Sequence, residues 1–162
     1  MKRHIAHVGL TLALVALAAA CTNTPKLTPA ERLALYRANA EEPVSGFSML
    51  ARNFNSWSAL GDQALAVWPQ PGQAYLLELG SPCLDLNFAN AISISNLMGR
   101  VSSGFDSVYV RGSGGTPSMR LPCRIDSIRP LNLAALREAS NAAHTGADAI
   151  ERPAEQQQAQ SQ

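Results

Sequence analysis

Lysine and histidine nearly vanish from this chain after its first few residues. Lys26 is the one lysine beyond Lys2, and His144 is the one histidine beyond His7. Ser–His and Cys–His nucleophile systems need an imidazole held beside the nucleophile. His144 opens a polar C-terminal stretch, where an imidazole is solvated and makes a poor base. Ser–Lys chemistry lacks a lysine in the central region, and no Gly-x-Ser-x-Gly elbow occurs. The several His and Cys ligands of a typical zinc site are missing, as is an Asp-x-Asp-x-Asp run for calcium. No cofactor is expected. A charge excess is lacking too: residues 1–20 hold two of the 13 basic residues, leaving 11 against 12 acidic ones, a net charge of −1. That balance gives no reason to expect nucleic acid as a partner.

Carboxylates are what this inventory leaves for catalysis. Asp62, Glu78, Asp85, Asp106 and Asp126 fall in the central region. A glycosidase-type pair must stand about 5–9 Å apart, which sequence does not reveal. Most of these residues sit at turns or strand starts, where Asp caps and solvates the backbone. A structural role is the stronger reading, and a carboxylate-based hydrolase ranks last among the functions considered.

The N-terminus is the most informative segment present. Lys2 and Arg3 precede an apolar run over residues 8–20 that ends in Ala18-Ala19-Ala20, and Cys21 follows. A charged start, an uncharged apolar stretch and a small-residue exit make a bacterial export signal over residues 1–20. The run is too short to cross a ~30 Å hydrocarbon core. Cys21 in this setting resembles a lipoprotein processing site, where the thiol receives a diacylglycerol thioether and becomes the new N-terminus. Ala18 stands at the −3 position, where such sites more often carry Leu, so ordinary cleavage after Ala20 is the alternative. Thr22 follows the cysteine in place of the Asp that marks inner-membrane retention in many bacteria. The expected location is the cell envelope, lipid-anchored and facing the periplasm, with the outer membrane favoured. The membrane is thus one partner, through the N-terminal lipid.

Cys83 and Cys123 remain as a pair, and in an oxidising compartment a pair is most simply a disulfide. A redox couple is the alternative. Against it, no Cys-x-x-Cys is present and neither cysteine has a nearby His or Lys to lower its pKa.

Residues 21–43 read as a tether and a short helix. Thr28-Pro29-Ala30-Glu31 offers a capping box with Pro at the first helical position. The helix should reach about Ala40, with Leu33, Tyr36 and Ala40 as a narrow apolar stripe. From Val44 short apolar runs broken by Gly, Pro, Asn and Asp read as strands and turns. Strands are expected over 64–68, 75–79, 92–95, 106–111 and 119–128, with Pro69-Gln70-Pro71-Gly72 and Gly112-Ser113-Gly114-Gly115 as hairpin loops. Tyr75, Leu77 and Leu79 share one face, as do Leu121, Cys123 and Ile125. Asn132 caps a second helix to about Ala143, and the Ala-, Glu- and Gln-rich residues 144–162 should form a disordered tail.

Tyr75-Leu76-Leu77-Glu78-Leu79, Pro82-Cys83-Leu84-Asp85-Leu86, Gly104-Phe105-Asp106-Ser107-Val108 and Cys123-Arg124-Ile125-Asp126-Ser127-Ile128-Arg129-Pro130 occur in this order, after Trp57-Ser58-Ala59-Leu60-Gly61-Asp62. The pattern resembles an uncharacterised family of small proteobacterial lipoproteins (domain of unknown function 6491), over roughly residues 47–136. The resemblance implies an exported one-domain protein with Cys83 and Cys123 as matching cysteines. It implies no activity, substrate or catalytic residue.

The expected architecture is a β-rich α+β domain over residues 44–143. Five or six antiparallel strands form a small barrel or sandwich, flanked by N- and C-terminal helices. The expected role is non-enzymatic: an envelope lipoprotein that binds or supports another envelope protein or component. The alternative is a binding module for a small apolar or anionic ligand. Two surfaces could serve it, an arginine face of Arg111, Arg120, Arg124 and Arg129, or an aromatic groove of Trp57 and Trp68 with Phe54 and Tyr75.

Overall fold

The computed structural model describes residues 27–49, 54–111 and 122–151. Helix α1 spans Pro29–Ala38, and its capping box is in place. The Thr28 hydroxyl accepts from the Glu31 N–H at 3.2 Å, and the Glu31 carboxylate accepts from the Thr28 N–H at 2.8 Å. These bonds satisfy donors that a helix start would otherwise leave bare, and hold the exposed Glu31 carboxyl below the usual carboxylate range.

Eight strands follow: β1 (Gly46–Ser48), β2 (Ser56–Ala59), β3 (Ala64–Gln70), β4 (Gln73–Leu79), β5 (Ala91–Ile94), β6 (Arg100–Ser102), β7 (Ser107–Arg111) and β8 (Cys123–Pro130). Six of them form a curled antiparallel sheet in the order β2-β3-β4-β8-β7-β5, a half-barrel. β1 and β6 pair separately, with Phe47 opposite Val101. Gly46 is required there, because a Cβ would fall onto the carbonyl oxygen of Val101. The β3–β4 hairpin turns on Pro71-Gly72, and Gly72 takes the positive φ of 82° that its position needs. A register shift between Glu78 and Leu79 leaves Asp126 of β8 as an extra residue. Such bulges sharpen local twist, and this one sits where the sheet curls.

The concave side holds the larger core. Leu65, Val67, Leu77, Leu79, Val108, Ile125 and Ile128 pack there, and Phe47, Met49 and Val101 of the small sheet cover them. The Phe47 and Tyr75 rings stack at 4.5 Å. Cys83 and Cys123 are joined in a disulfide in this core, with their Cα atoms 5.5 Å apart.

The convex side is covered as well. Leu33, Tyr36 and Ala40 pack on Leu60, Ala64, Ala66, Ala74, Leu76 and Leu131. Three of these sheet positions are alanines, so the sheet's share of this core is built largely from small side chains. Burial pushes the Tyr36 phenol up, and Arg32 pulls it part of the way back. Arg37 Nε meets Glu78 Oε1 at 2.8 Å. The central strands are therefore buried on both faces, whereas sequence alternation suggested one buried face for Tyr75, Leu77 and Leu79. Helix α2 spans Leu133–Glu151, eight residues past the expected end at about Ala143. Asn132 caps it through the Ala135 N–H at 3.1 Å.

Candidate functional site

The half-barrel does not close. β2 and β5 end the sheet order, and a cleft of about 270 Å³ lies between them. Phe54 and Trp57 line it from the β2 side; Asn90, Ala91, Ile92, Ser93 and Ile94 line it from the β5 side. Ile92 and Ile94 face the concave core, and Phe54 and Trp57 pack against the same core from the opposite edge. Apolar side chains thus border the cleft, but polar groups form the larger part of its exposed lining. Its rim carries the Asn90 and Ser93 side chains and the outward backbone groups of two edge strands. Edge groups of that kind accept a further strand readily.

The aromatic groove divides. Ser56 pairs with Trp68 and Trp57 with Val67, so the two tryptophans point to opposite faces of the sheet. Trp57 belongs to the cleft, and Trp68 packs on the convex core beside α1. Tyr75 is committed to its stack with Phe47.

The arginine face does not assemble into one patch. Arg124 donates through both Nε and a terminal nitrogen to the Gly104 carbonyl. At the other end of β8, Arg129 donates to the carbonyls of Glu41 at 2.7 Å and Ala40 at 3.0 Å. Each guanidinium ties a loop to β8, a positional use of the fork that sequence does not distinguish from ligand binding. Arg111 is exposed at the end of β7, opposite Ala91. Arg120, Cys21 and the 112–115 loop lie outside the described residues.

The five carboxylates stand on different elements. Glu78 pairs with Arg37 on the convex face, and Asp126 is exposed on the bulge of β8. Asp62 belongs to the β2–β3 turn, and Asp85 is exposed at a φ of 62°. Asp106 accepts from the Ser95 hydroxyl at 2.6 Å and the Ser102 N–H at 2.8 Å, which locks the β6–β7 turn. None of them lines the cleft. Among the described residues no polar or charged residue is buried, and no three His, Cys, Asp or Glu side chains gather as a metal site. Among the same residues no helix is long and apolar enough to cross a membrane.

Comparison with curated proteins and with solved structures finds no match to this chain. A family model described as a family of unknown function (DUF6491) matches residues 1–147, and the chain belongs to that family.

Proposed function

We propose that this protein is exported, held by lipid on Cys21 in the bacterial cell envelope, and acts there by binding another envelope protein and not by turnover. The observation that carries the binding role is the cleft between β2 and β5. It sets Phe54 and Trp57 beside the polar backbone groups of two edge strands, a combination that suits an extended polypeptide segment. The dispersed carboxylates support binding over catalysis. The anchor draws on the export signal and on Cys21.

Two measurements test the two halves of this reading. Cys21→Ser should move the protein from the detergent phase to the aqueous phase, since three acyl chains anchor firmly. A wild-type protein already in the aqueous phase would remove the anchor from the reading. For the cleft, a photoreactive residue replacing Ser93 in intact cells should capture one identifiable envelope protein. Trp57→Ala, with circular dichroism unchanged, should reduce that capture at least tenfold. Undiminished capture by the folded variant would refute the cleft as the binding site.

A further inference from the structure

We infer that the loop carrying Leu84 and Phe88 is a membrane-contact surface, which dips into the headgroup boundary of the same bilayer that holds Cys21. The inference rests on the anchored reading above, and neither Leu84 nor Phe88 lines the cleft.

Leu84 is 75% exposed and Phe88 82% exposed, an unusual cost for two large apolar side chains on one loop. The loop between β4 and β5 is firmly built. The Cys83 side chain is locked by the disulfide, and its N–H donates to the Asp62 carbonyl at 2.7 Å. Leu86 is fully buried, and the Phe88 N–H returns to the Asp85 carbonyl at 3.0 Å. Asp85 adopts a left-handed conformation between two side chains that face water and one that faces the core. The fold thus holds Leu84 and Phe88 outward on an ordered support, with Leu86 spent on fixing it.

The position of the loop names its occupant. Asp62 lies in the turn after β2, and β2 ends at Ala59, whose carbonyl accepts from Arg32 of α1 at 2.8 Å. The loop therefore sits at the end of the sheet that the first turns of α1 reach. Five residues separate Cys21 from Leu27, six Cα steps that span at most about 20 Å. An acyl-anchored Cys21 keeps this end of the body close to the bilayer. Arg111 is exposed at the same end, as are the carboxylates of Asp62, Asp85 and Asp126, so net charge does not draw this end to anionic headgroups and the apolar tips carry the contact. The Asp85 carboxylate is exposed between the two apolar tips and limits entry to those tips. The other exposed apolar residues, Leu97, Met98 and Phe105, lie beyond the opposite end of β5.

Hydroxyl-radical footprinting of the full mature chain tests this. The lipidated protein, at low density on vesicles of phosphatidylethanolamine and phosphatidylglycerol, is compared with the Cys21→Ser chain in solution. Leu84 and Phe88 should lose at least threefold in oxidation rate on vesicles, while Leu97, Met98 and Phe105 stay unchanged. A lipidated chain that floats with vesicles but leaves Leu84 and Phe88 fully oxidised would overturn the inference and spare the anchor. A chain that fails to float would overturn both.

Discussion

Replacing Cys83 and Cys123 together by alanine is expected to lower stability by about 4 kcal/mol. The bridge closes a loop of 40 residues, and the chain entropy it removes from the unfolded state gives that figure. Both half-cystines lie in the concave core, so no solvent relieves the loss. The bridge also fixes the 80–90 loop to the first residue of β8, which joins the two halves of the sheet. For a body of this size the midpoint of thermal unfolding should fall by roughly 12–20 °C. Denaturant titration of the wild type with and without reductant, beside the double variant, measures it. A change under 1 kcal/mol would mean that the reduced chain is already held in place by packing alone.

The second expectation contrasts neighbours. Leu76 and Leu77 are consecutive in β4, both fully buried, and they point into different cores. Leu76→Ala and Leu77→Ala should each cost about 2–5 kcal/mol, from lost transfer energy plus an unfilled cavity. In a sheet with one wet face, the first would cost little. Urea unfolding of both variants decides between these cases, and a near-neutral Leu76→Ala would mean that α1 does not seal the convex face.

That contrast also marks where the sequence stops being readable. Alternation identified the β3–β4 hairpin, β5, β7 and β8, because residues such as Ile92-Ser93-Ile94 signal a half-buried strand locally. The capping box at Thr28 was legible for the same reason, since a cap needs only four consecutive residues. The convex core was not, because Ala64, Ala66 and Ala74 look like weak positions until a helix lies on them. β1 and β6 escaped because three residues carry too little period to distinguish from a loop, and β2 because Ser56-Trp57-Ser58-Ala59 lacks the two large apolar residues that mark Ile92-Ser93-Ile94. The candidate site was half legible. Phe54 and Trp57 stood out as aromatics, but their meeting with Asn90 and Ser93 depends on strand order, which no local pattern encodes. The arginines misled for a related reason. Arg124 and Arg129 carry the chemistry of a ligand clamp, and only the fold shows them engaged with the carbonyls of Gly104, Ala40 and Glu41.

The pairing of β4 with β8 has a consequence for how such a chain could be delivered. Leu77 lies opposite Ile128, about 50 residues later in synthesis, and pairings that distant form slowly. The early meander of β2, β3 and β4, with Phe47 and Met49 already made, still lacks Val101, Ile125 and Ile128 beside Leu77 and Leu79 until β6 and β8 follow. A nascent chain of this kind stays open and threadable through most of its translation. The covalent bond that secures the arrangement needs Cys123, close to the end of the sheet, and an oxidising compartment. For a chain exported as proposed above, strand order and the need for an oxidising compartment would together place the completion of folding after translocation.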